Sequence, residues 1–102
     1  MTHELLTWDV YDIGHVDESL IGISLRGRLR KHAVREGLNL LVDNATHAEN
    51  CVRFAVLADE SIAAQQGFVE QAVPGATIER RLQGVVNPVL SKLSIVTNEA
   101  KY

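Results

Sequence analysis

Apolar and polar positions along the chain change period several times, and each change marks a new element. Between Leu5 and Val16, the residues Trp8, Val10, Tyr11, Ile13 and Val16 supply the aromatic and β-branched side chains that favour a strand. Val16-Asp17-Glu18-Ser19 breaks this pattern. Leu20-Ile21-Gly22-Ile23-Ser24 follows as a short connection, with Gly22 read as a source of backbone freedom. From Ser24 to Glu36 the repeat lengthens: Leu25, Leu29 and Ala33 recur every four residues, a helical stripe with Arg28, Lys31 and Arg35 on other faces. Ser24 stands where an N-cap belongs, and Gly37 where a helix stops in the left-handed conformation.

The second half repeats the scheme. Leu38, Leu40 and Val42 alternate with Asn39, Leu41 and Asp43, a mostly buried strand. Asn44 to Asn50 reads as a polar hairpin loop, and Val52, Phe54, Val56 and Ala58 alternate beyond it. The close spacing predicts that these two strands pair antiparallel. Asp59 or Ser61 can cap a second helix to about Val73, with Ile62, Phe68, Val69, Ala72 and Val73 on its apolar face. Pro74-Gly75 ends it. Thr77 to Val86 is strand-like, Asn87-Pro88 is a turn, and Leu93 to Thr97 is a last short strand. The order β-α-β-β-α-β predicts an α+β, ferredoxin-like fold: an antiparallel sheet with two helices on one face.

A chain of 102 residues fits one domain, and neither a linker nor a repeat divides it. Its net charge of -3 argues against a general attraction for nucleic acid or anionic membranes. No apolar run approaches the roughly 20 residues that span a bilayer, and Met1-Thr2-His3-Glu4 lacks the basic flank and apolar stretch expected of a signal peptide. Cys51, the single cysteine, forms no intrachain disulfide, so a reducing, cytoplasmic setting is expected. It reads as a buried strand residue rather than a nucleophile beside His47. His3, His15, His32 and His47 lack paired ligand spacing, so no metal site is expected.

Against this background one arrangement carries chemistry. The segment Gly22-Ile23-Ser24-Leu25-Arg26, the helix closed by Gly37-Leu38 and the strand Leu40-Leu41-Val42-Asp43-Asn44 together resemble the acylphosphatase family. There a glycine-rich loop ending in Gly-Phe-Arg follows the first strand, and a later strand ends in asparagine. Arg26 and Asn44 are eighteen positions apart, as expected for that family's two functional residues. Phe68, Pro74-Gly75-Ala76 and Ile78 resemble its second helix and the exit from it.

The resemblance implies hydrolysis of acyl phosphates to a carboxylate and inorganic phosphate, with no metal, cofactor or covalent intermediate. It makes Arg26 the phosphate clamp, Asn44 the group that orients water, and the backbone amides of Gly22, Ile23, Ser24 and Leu25 the phosphate cradle. The chemistry suits these groups. Amides at a helix start favour an anion, a guanidinium matches two phosphate oxygens, and a carboxamide can hold water. The implied partner is a small anionic phosphorylated substrate or inorganic phosphate.

Two departures bear on activity. Asp17-Glu18-Ser19-Leu20 lengthens the loop by four residues relative to the family pattern, and Ser24 stands in place of a glycine. Serine there predicts backbone strain of about 1–3 kcal/mol, and each 1.4 kcal/mol of lost transition-state stabilisation is about tenfold in rate. Asp17 and Glu18 would also bring negative charge toward an anion site. The second reading is therefore a non-catalytic relative that binds an anion or a protein. The basic cluster Arg26, Arg28, Arg30, Lys31 and Arg35 suits a solvated helix face. Use of that cluster on nucleic acid is disfavoured, because the chain has only five aromatic residues and no aromatic-rich RNA motif.

Overall fold

The computed structural model describes residues 6–45, 50–58, 60–86, 88 and 90. The expected strand over Leu93–Thr97, the Asp59 cap, Asn87 of the turn, Leu5, His3 and His47 lie outside them. The elements are β1 (Thr7–Gly14), α1 (Leu25–Glu36), β2 (Leu40–Asn44), β3 (Cys51–Leu57), α2 (Ala63–Ala72) and β4 (Thr77–Val86). The strands form one antiparallel sheet in the order β2-β3-β1-β4. This is the α+β, ferredoxin-like arrangement.

Strand alternation decides which side chains meet the helices. Ile13, Val42, Val52, Phe54 and Val56 join Leu25 and Leu29 of α1 and Val69 of α2 in one buried core. Tyr11 packs on its margin, its ring stacked 5.1 Å from that of Phe54. On the opposite face, Val10, Ala55 and Leu90 form a smaller cluster edged by Trp8 and Leu41. The core therefore sits on the side that holds both helices, and it fixes α1 against β2.

The end of α1 explains why β2 starts later than the alternation suggests. Gly37 adopts φ 67°, ψ 32°, and its N–H donates to the Val34 carbonyl while that of Leu38 donates to the Ala33 carbonyl at 2.8 Å. This pair of bonds is a Schellman cap. It commits Leu38 to the helix end, so the sheet ladder begins at Leu40.

At α2 the cap also differs in detail. Ile62 occupies the N-cap position and brings no side-chain acceptor. Ser61, one residue earlier, accepts the Ala63 N–H on its Oγ at 3.1 Å. The α2 face turned to the core carries Gln65 as well as Val69, and the Gln65 Oε1 atom is buried without a hydrogen-bond partner.

A charged pair lies within the sheet. Arg53 is fully buried and grips Asp12, its cross-strand neighbour, with Nε to Oδ1 at 2.7 Å and Nη2 to Oδ2 at 3.1 Å. Arg81 reaches the same carboxylate at 3.3 Å, and the Arg53 Nη1 donates to the Leu90 carbonyl. A buried guanidinium needs such a two-pronged partner to offset its desolvation.

Candidate functional site

The connection between β1 and α1 is a tight coil, and its own hydrogen bonds set its shape. Gly22 N–H donates to Ser19 Oγ at 2.9 Å. Ile23 N–H donates to the Ser19 carbonyl, Ser24 N–H to that of Ile21 and Leu25 N–H to that of Leu20, all at 3.0–3.1 Å. These are the four amides expected to cradle phosphate. The structure turns each of them inward, into the coil itself. Segment 17–20, which lengthens the loop, supplies three of the four acceptors: the Ser19 Oγ, the Ser19 carbonyl and the Leu20 carbonyl.

Gly22 serves this coil by its small size. Its φ is not among the positive values, so backbone freedom is not what the position requires. A Cβ there would lie 3.0 Å from Ser19 Oγ and 3.2 Å from Ser19 Cβ, so the Ser19 side chain would have to shift. The left-handed residue is instead Ser24, at φ 57°, ψ 42°. Serine thus holds a conformation that glycine adopts more readily, and it makes no side-chain cap bond.

The amides that open outward lie one step further on. Arg28 N–H is the first to turn back, to the Ser24 carbonyl at 3.0 Å. Among the described residues, no backbone carbonyl accepts from the amides of Arg26 and Gly27, which sit in the first turn of α1. The turn holds no acidic side chain, so the positive end of the helix dipole is not neutralised from within it.

Arg26 and Asn44 meet at this point. Both line a cleft of about 360 Å³ with Leu20, Ile21, Ser24 and Gly27. The last residue of β2 and the second of α1 are brought together because α1 packs along β2 through Leu25, Leu29 and Val42. Asp43 completes the arrangement: its Oδ1 accepts from Arg26 Nη1 at 3.4 Å and from the Asn44 N–H at 2.8 Å. Both side chains of the ion pair are more than a third exposed, so it holds the guanidinium only weakly. Arg30, one turn on, donates to the Val42 carbonyl at 3.4 Å.

Two residues that the sequence reading did not assign hold the loop in place. Asn50, at φ 52°, accepts from Leu20 N–H on Oδ1 at 2.7 Å. Its Nδ2 donates to the carbonyls of His15 and Glu18, both at 2.8 Å. His15 Nδ1 accepts from the N–H groups of Asp17 at 3.0 Å and Glu18 at 2.9 Å, and its Nε2 lies 3.0 Å from the Pro74 carbonyl. Asp17 and Glu18 are thereby held at the His15 end of the loop and do not line the cleft. The available signal was chemical type: after glycine, asparagine is the residue that best tolerates a left-handed turn, and histidine beside a turn can accept backbone amides.

The sole thiol stands apart from this site. Cys51 is buried, and burial, reinforced by the Asp12 carboxylate, pushes it up to about 11. Both effects disfavour the thiolate at neutral pH. No helix among the described residues is long and apolar enough to cross a membrane.

No protein-family model, curated protein or solved structure matches this chain.

Proposed function

We propose that the cleft at the start of α1 binds a phosphoryl anion and that the protein hydrolyses small acyl phosphates in the manner of an acylphosphatase. One observation carries the reading: Arg26 and Asn44, from separate elements, line the same cleft at the amide-bearing end of a helix. A phosphoryl oxygen there meets the Arg26 and Gly27 amides and the positive helix end. The Arg26 guanidinium leaves its loose pairing with Asp43 to take a second oxygen. Asn44 presents its carbonyl oxygen to a water in line with the acyl oxygen.

In that geometry the water oxygen bonds to phosphorus as the bond from phosphorus to the acyl oxygen breaks. The electron pair leaves with the carboxylate, and the water's proton passes to solvent. The leaving group is a weak base, so positioning and charge stabilisation are the main demands on the protein. Turnover of benzoyl phosphate tests this. The account expects Arg26→Ala to raise KM and lower kcat, and Asn44→Ala to lower kcat with little change in KM. Equal turnover by the wild type and both variants refutes it.

A specific observation favours a second reading, a non-catalytic anion-binding module. The amides at 22–25 are engaged inside the loop, which leaves two backbone donors where the family resemblance implies a fuller cradle. Anion binding with no turnover of benzoyl phosphate would select it.

A further inference from the structure

We propose that His15 is a proton-operated latch that sets the conformation of the β1–α1 loop and, resting on the reading above, the anion affinity of its cleft. The hydrogen bonds assign the ring's state. Nδ1 faces two N–H donors, those of Asp17 and Glu18, at 3.0 and 2.9 Å, so it carries no proton. Nε2 faces the carbonyl oxygen of Pro74 at 3.0 Å, so it carries one. Only the neutral ring with its proton on Nε2 satisfies all three partners.

A second proton must go to Nδ1, where it would point at two backbone N–H groups. The ring cannot accept it and keep the turn at 15–18. Protonation therefore requires release of the Asp17 and Glu18 amides. By linkage, the closed turn favours the neutral ring and is lost when the ring takes up a second proton.

The turn connects to the cleft through Asn50. That side chain bonds the His15 and Glu18 carbonyls on one side and the Leu20 N–H on the other. Leu20 is buried, lines the cleft, and its carbonyl accepts the Leu25 N–H at the start of α1. A change at residues 15–18 thus has a continuous hydrogen-bonded path to the helix end. Among the described residues near the ring, the loop offers the exposed carboxylates of Asp17 and Glu18, and the exit of α2 offers the Pro74 carbonyl and Gly75. Glu70 borders the cavity that Gly75 lines, and Asn50 of the β2–β3 turn bonds the His15 backbone carbonyl.

The test uses the full chain labelled with 15N and titrated between about pH 8 and 5, the range in which histidine changes charge. His15 ring signals report protonation, and the amides of Asp17, Glu18 and Leu20 report the turn. In H15N the side-chain Oδ1 takes the place of Nδ1 as acceptor but does not titrate. His15→Ala removes the acceptor.

The latch predicts that the three amides of the wild type move together with ring protonation. It predicts that they stay fixed in H15N and sit at their acid-form positions at all pH in His15→Ala. Sulfate, a dianion throughout this range, should change its affinity for the wild type at least threefold between pH 7.5 and pH 5.5, and bind H15N equally at both. Amides that ignore ring protonation, the same transition in H15N, or sulfate affinity that is flat with pH in the wild type would overturn the latch. Sulfate that does not bind at any pH would overturn the coupling and the anion site together, while the amide titration would still decide the latch.

Discussion

Asn50 gives the sharpest structural prediction, because one side chain ties the β2–β3 hairpin to the loop that shapes the cleft. It makes three hydrogen bonds of 2.7, 2.8 and 2.8 Å, on a residue held at φ 52°. A net hydrogen bond contributes about 0.5–1.5 kcal/mol. The bonds are partly exposed, so water replaces some of the loss, and about 2 kcal/mol remains for the three together. Alanine adds about 1 kcal/mol for the left-handed backbone, which asparagine and glycine tolerate better.

The expected costs are therefore about 3 kcal/mol for Asn50→Ala and about 2 kcal/mol for Asn50→Gly. Asn50→Asp keeps the acceptor for Leu20 but sets a carboxylate oxygen against two carbonyls, so it should be at least as harmful as glycine. Urea unfolding followed by tryptophan fluorescence measures all three. A loss below about 0.5 kcal/mol for Asn50→Gly would refute the assigned role, since that is the floor for even one such bond.

Three further outcomes follow from particular residues. Ser24→Gly should stabilise the chain by about 1 kcal/mol, by relieving a left-handed serine with no cap bond; an unchanged urea midpoint would contradict that strain. Asp12→Ala should cost about 3–5 kcal/mol, because it strips the bidentate partner from a fully buried Arg53; denaturation curves check it. Cys51, titrating at about 11 rather than 9.0, carries about a hundredth of the ordinary thiolate at pH 8. Thiol-specific labelling of the native protein should be correspondingly slow. Because the folded thiol holds its proton more tightly than the unfolded one, its contribution to stability is complete below about pH 9 and is lost as pH rises toward about 11.

The fold was legible because period and punctuation agree: the four-residue repeat of Leu25, Leu29 and Ala33 ends at Gly37, and the alternation through Phe54 belongs to a central strand. Boundaries were less so. Leu38 continues the apolar alternation, but its N–H closes the helix cap, a bond that no sequence period reports. The pairing of Arg53 with Asp12 was hidden for a related reason. It depends on a register across strands forty-one residues apart, and an arginine inside an apolar strand does not name its partner.

The candidate site was legible at Arg26 and Asn44, which the family resemblance paired and which line one cleft. It was not legible at the loop amides, because a hydrogen bond from Gly22 to Ser19 is a matter of local coil geometry. Ser24 lay between these cases. Its residue type flagged strain, and the left-handed backbone is where that strain resides.

The central claim is that the first turn of α1, the Arg26 guanidinium and the Asn44 carboxamide face one phosphoryl anion. Titration of the labelled protein with inorganic phosphate reads it most directly. The account predicts saturable shifts of the Arg26 and Gly27 amides, the Arg26 Nε–H and the Asn44 side-chain amide with a single dissociation constant, lost in Arg26→Ala. Shifts confined to the exposed arginines and lysine further along α1, with the first-turn amides unmoved, would contradict it.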